Sequence, residues 1–295
     1  MKLAALLVLV PALAFADDPP TVGEEIIRVD EHALYIDGVN TSGSSTTTRS
    51  YRSISKGWMI IDGQELGTEL RFLTAPTLSF TDVMLLTVRG RAAIAKRVDA
   101  FAAVDLLPKQ PSTTDELVWQ SASAGINMQP WDKPLALHVR GAGGVMLDRT
   151  GYWGQADVGA IARKPLRVHD VEVMLLEGGV SALGTRLSPD AGDNGWLVEA
   201  ALSGSILFHD PEGWTGGWLG FHYGLPVAHG AMLDPQPRVD VEFGVVLSFI
   251  EHWDVFGRFA VIDRGDAEQM ATQLPILDGG FDQKQAVFGL TYHTR

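Results

Sequence analysis

The chain of 295 residues contains no cysteine. That removes disulfide scaffolds, cysteine-ligated zinc and iron–sulfur sites, and lipid attachment through an N-terminal cysteine. Basic residues are few: 23 Lys and Arg stand against 36 Asp and Glu, a formal charge of −13. A surface built to wrap nucleic acid is therefore not expected. Beyond the N-terminus no run approaches the ~20 apolar residues of a spanning helix. Charged residues make up only 20% of the chain, yet 46% is hydrophobic, which argues against disorder. Glycine is plentiful at 32 residues, and mean hydropathy is near zero at +0.08.

The N-terminus reads as a targeting segment. Met1-Lys2 is a short positive region, Leu3 to Leu13 is apolar, and Ala14-Phe15-Ala16 is an A-x-A cleavage site. Residues 1–16 are thus expected to be a secretory signal peptide. Residues 17–65 form an N-terminal extension, expected in the periplasm, partly disordered or folded as a small hairpin or plug. Within it, Glu24–Asp30 and Ala33–Gly38 are candidate hairpin strands, and Thr41–Ser50 is a polar linker.

From Leu66 onward the period is two. In Arg238–Glu251 the residues Val239, Val241, Phe243, Val245, Leu247 and Phe249 share one face. Arg238, Asp240, Glu242, Gly244 and Ser248 share the other, with Val246 as an apolar exception. Trp196–His209 repeats the pattern, with Leu197 and Leu207 as exceptions. Side chains of a strand alternate between faces, so each segment has one apolar and one polar face. The segments run near a dozen residues, against about five or six for an ordinary strand and about nine to eleven for a membrane-spanning one. Large residues fill one face and small polar or charged ones the other. This is the pattern of a barrel that is apolar toward lipid and polar within.

The expected fold is all-β: an antiparallel transmembrane barrel of about twelve strands over residues 66–295, with about ten or fourteen as the neighbouring even counts. Expected strands are 66–74, 83–95, 98–107, 116–128, 135–148, 151–163, 169–183, 195–208, 214–225, 238–250, 253–263 and 281–293. Turns at 95–97, 129–134, 163–166, 209–213 and 251–252 are short. Links at 75–81, 108–115, 184–195, 226–237 and 263–280 are longer, and the link after Asp148 is a short exception. A phase slip near Leu175-Leu176 predicts a β-bulge.

Aromatic residues mark two rims on the lipid phase. Tyr152, Trp196, Phe221 and Tyr223 are expected near the loop side, and Phe208, Phe249, Trp253 and Tyr292 near the turn side. The polar phase yields candidate pore-lining residues: Arg71, Arg89, Arg91, Asp99, Asp105, His138, Arg140, Asp157, Glu199, His222, Asp240, Glu242 and Arg258.

The signal peptide, the alternating segments, the turn–loop asymmetry and the last strand, Ala286–Tyr292, resemble those of bacterial outer-membrane β-barrel proteins of the porin-like class. The resemblance implies a place in the outer-membrane bilayer and handling by the barrel-assembly machinery, which commonly reads a terminal aromatic. Here His293-Thr294-Arg295 follow Tyr292, a departure from that pattern. The expected activity is a passive channel for small polar solutes. Alternatives are a closed structural or binding barrel that presents loops 184–194, 226–237 and 263–280, and a soluble secreted β-sandwich. Enzymatic activity is not expected: no G-x-S-x-G elbow is present, and no serine on the lipid phase accompanies His138, His209 or His222. No metal motif and no cofactor are expected.

Overall fold

The structure, a computed structural model, describes residues 33–36, 49–52, 63–75, 78–109, 118–131, 135–145, 151–168, 171–189, 195–209, 215–230, 236–250, 252–263 and 283–294. Two short strands, β1 (Ala33–Ile36) and β2 (Arg49–Arg52), pair antiparallel. Ala33–Ile36 therefore takes its partner from the end of the expected linker; Glu24–Asp30 lies outside the described residues.

Twelve longer strands follow: β3 (Gln64–Ala75), β4 (Leu78–Ala95), β5 (Val98–Lys109), β6 (Val118–Met128), β7 (Leu135–Val145) and β8 (Gly151–Val168), then β9 (Val171–Pro189), β10 (Gly195–His209), β11 (Thr215–His229), β12 (Arg238–Ile250), β13 (Trp253–Asp263) and β14 (Gln283–His293). Each pairs antiparallel with its sequence neighbours, and β14 closes the ring on β3 from Lys284↔Thr74 to His293↔Glu65. Thr294 N donates to Gln64 O at 2.9 Å just past the last pair. Closure leaves no edge strand, so every wall strand has ladder partners on both sides.

The period-two pattern sets which face turns outward. Along β12, Val239, Val241, Phe243 and Val245 are exposed while Arg238, Gly244 and Val246 are buried. β11 and β13 alternate in the same way. The exterior is apolar and the interior carries the charges, the architecture of a transmembrane barrel.

Several boundaries move. Only two residues separate β3 from β4, so the long link expected at 75–81 is a tight connection. β9 runs on to Pro189, and β11 to His229. The turn expected at Arg163–Leu166 lies inside β8, which continues to Val168. Pro165 suggested a turn, but it pairs with Leu175 beyond the last β7–β8 pair, Leu135↔Ala162. Among the described residues, no β7 residue pairs with that stretch of β8.

The bulge also moves. The β9–β10 register is continuous through Leu175-Leu176, and the irregularity in β8–β9 falls between Leu166 and Arg167, opposite Glu172–Met174. Leu175 does not break the phase; it is a leucine that faces inward. Two turns place non-glycine residues in the left-handed region, Arg97 (φ 64°) and His252 (φ 68°). Beside each the register shifts, as in a hairpin that ends in a bulge residue with positive φ.

Candidate functional site

The barrel interior is the candidate site. Every expected pore-lining residue faces it. Arg71, Arg89, Arg91, Asp99, Asp105, Arg140, Asp157, Glu199, His222 and Arg258 are buried there, and His138, Asp240 and Glu242 are nearly so.

The charges fall into connected groups. On β4–β6, Arg91 grips Asp99 with two bonds, Nε to Oδ1 at 2.9 Å and Nη2 to Oδ2 at 2.5 Å. Asn127 Nδ2 donates to the same Oδ1 at 2.8 Å. Between β3 and β4, Arg89 Nε lies 2.8 Å from Glu69 Oε1, and its Nη2 donates to Thr291 Oγ1 at 2.8 Å. Asp105 accepts from Thr87 Oγ1 at 2.5 Å and Ser121 Oγ at 2.7 Å.

On β7–β9, Arg140 Nη2 donates to Asp157 Oδ2 at 3.0 Å, with His138 Nε2 at 3.2 Å from the same oxygen. Arg163 donates to Glu177 Oε2 from Nε at 2.9 Å and Nη2 at 2.6 Å. Across β11–β13, Arg258 Nη1 and Trp218 Nε1 hold the two oxygens of Glu242, each at 3.0 Å. Arg238 Nε lies 3.2 Å from Asp240, and its Nη2 lies 2.6 Å from His222 Nε2. A guanidinium can only donate, so His222 Nε2 accepts.

Other interior polar atoms have no hydrogen-bond partner among the described residues. They include Ser123 Oγ, Ser181 Oγ, Ser205 Oγ, and Nε and Nη1 of Arg71, whose Nη2 donates to Thr87 Oγ1 at 3.4 Å and lies 3.7 Å from Glu69 Oε2. They spread over β3, β6, β9 and β10. Each of these atoms is shielded within the wall.

The interior also has an apolar wall, which the sequence pattern showed only as exceptions. Leu175, Leu207, Trp218, Val246, Phe256 and Val287 form one buried cluster on β9–β14. Leu207 and Val246 are among the residues that broke the polar phase. Leu197 also faces inward but lies outside this cluster. Glycine makes room for the large rings. A Cβ at Gly244 would lie 2.1 Å from Trp218, and one at Gly289 2.2 Å from Phe256. These interior glycines serve as hollows under aromatic rings. Trp153 and Trp218 are also buried and turned inward.

On the outside, Tyr152, Trp196, Phe208, Phe221, Tyr223, Trp253 and Tyr292 are all exposed. Trp253 and Tyr292 meet at a ring separation of 5.0 Å on the turn-side rim. Phe221 sits lower than expected. It pairs with Gly204 midway along β11 rather than near its loop-side end. The Phe249 side chain lies outside the described residues, as do residues 1–16, Trp58–Asp62 and most of the long loops.

Known proteins resemble the fold. The barrel overlays the NanC porin at 7% identity with a TM-score of 0.49, covering 77% of this chain and 98% of that one. A bacterial polysaccharide outer membrane secretin overlays at 10% identity and a TM-score of 0.46, covering 79% and 99%. The CymD monoaromatic hydrocarbon channel overlays at 8% identity and a TM-score of 0.42, covering 82% and 91%. No protein-family model matches the sequence, and no curated protein sequence does.

Proposed function

We propose that this protein is an outer-membrane channel for small polar solutes. The observation that carries the reading is the interior: a wall with both charge signs, among them Arg71, Asp99, Arg140 and Asp157, and with Ser123, Ser181 and Ser205 on the inner phase of their strands. Such a wall suits water and hydrogen-bonding solutes, and mixed charge selects among permeating ions. Export under this reading uses residues 1–16 as a cleaved signal, followed by insertion through the barrel-assembly machinery. N-terminal sequencing of the mature protein, expected to begin at Asp17, checks the first step.

Recording from full-length protein in planar bilayers tests the channel. Stepwise currents are expected, with an ion selectivity that shifts on Arg71→Gln. Silent bilayers that contain folded, heat-modifiable barrel would contradict it. A closed structural barrel is the second reading. It is favoured by the apolar cluster and by the shielding of Arg71, Asp99 and Arg238 to about 1% exposure or less. The same recording separates the two.

A further inference from the structure

The interior is shielded more completely than the barrel itself can achieve. Eight strands make a bore that side chains just fill; at ordinary spacing and tilt twelve strands stand roughly 24 Å apart across the barrel, which leaves roughly 12 Å between opposing side chains. Yet Leu207 and Val246 are 0% exposed and Phe256 is 4% exposed. Something covers this apolar wall.

The β1–β2 hairpin is placed to do so. The β1 backbone approaches within 8 Å of β10, and the β2 backbone approaches β12 and β13. These are the strands that carry Leu207, Val246 and Phe256. A hairpin on the outer surface would shield the outward residues of the same strands. They are open instead: Leu202 on β10 and Phe243 on β12 are each 56% exposed, and Val255 on β13 is 39% exposed. Composition fits as well. β1 is Ala-Leu-Tyr-Ile, matched to an apolar wall, and β2 is Arg-Ser-Tyr-Arg, matched to strands with Asp240, Glu242 and Asp254 on the inner face.

We infer that the hairpin Ala33–Ile36/Arg49–Arg52 is a self-plug, seated inside the barrel against the apolar wall of β10–β13. Part of the chain's own N-terminal extension is the ligand of its interior. Burial of apolar surface on both partners drives the seating.

The cysteine-free chain allows a direct test. Tyr51→Cys is combined either with Val246→Cys, on the inner face of β12, or with Val245→Cys, on its outer face, and the folded full-length protein is treated with a short bismaleimide. A cross-link to position 246 and none to 245 is expected. A cross-link to 245, or to neither, overturns the proposal. In a second measurement Val246→Cys is exposed to a water-soluble maleimide, alone and with Leu34→Asp/Ile36→Asp. Labelling at least ~10-fold faster in the charged variant is expected, because buried apolar seating does not tolerate two carboxylates. An unchanged rate in two folded proteins overturns the plug. If the charged variant does not fold, the cross-link decides. Neither readout needs a current, so the plug and the channel fail independently.

Discussion

Asp99→Ala should destabilise the barrel by about 3–5 kcal/mol, the usual cost of leaving one member of a buried ion pair behind. The structure puts this pair at the severe end. The two side chains are 1% and 0% exposed, and Arg91 holds Asp99 through two bonds of 2.9 and 2.5 Å. Asn127 loses its acceptor as well, worth about 1 kcal/mol. Arg91→Met/Asp99→Leu removes both charges and should cost far less than the single change, because no bare guanidinium remains. Urea unfolding in phospholipid vesicles, followed by tryptophan fluorescence and by gel mobility without boiling, measures both. The coupling between the two sites should exceed about 1 kcal/mol. A single-variant cost below about 1 kcal/mol, equal to that of the double variant, would refute the reasoning. It would mean that water screens this pair despite its burial.

Three further outcomes follow from the geometry. Gly244→Ala should cost about 1–3 kcal/mol in the same unfolding assay, because the new methyl group would lie 2.1 Å from Trp218; Trp218→Leu in the same chain should recover part of it. Arg97→Gly should stabilise by about 1 kcal/mol or less, since glycine adopts the left-handed turn conformation at φ 64° without a Cβ clash. Phe243→Arg, midway along β12 and 56% exposed, should cost about 2–4 kcal/mol in a bilayer, whereas an exposed phenylalanine on a soluble sandwich would accept arginine almost freely.

The alternation in residues such as Val239–Leu247 made the strands, their number and the inward set of charges legible, because one residue of slip reverses every side chain. What it missed shares one cause. Interior apolar residues have the same chemistry as exterior ones, so Leu175 looked like a slipped phase and Leu207 and Val246 looked like exceptions. Only the closed ring brings them together, from strands far apart in sequence. Pro165 misled for a related reason: proline is a turn residue, and nothing local shows that β8 continues through it to Val168. The pairings Arg91–Asp99 and Arg163–Glu177 were likewise invisible, since register across two strands sets them.

Single cysteines along β12, labelled with a fluorophore in reconstituted vesicles, test the central claim most directly. Quenching by nitroxide-bearing lipid chains should be strong at positions 239, 241, 243 and 245 and weak at 240, 242 and 248, a period of two. Quenching that does not alternate, or that is absent at every position, would contradict a barrel whose apolar face meets lipid.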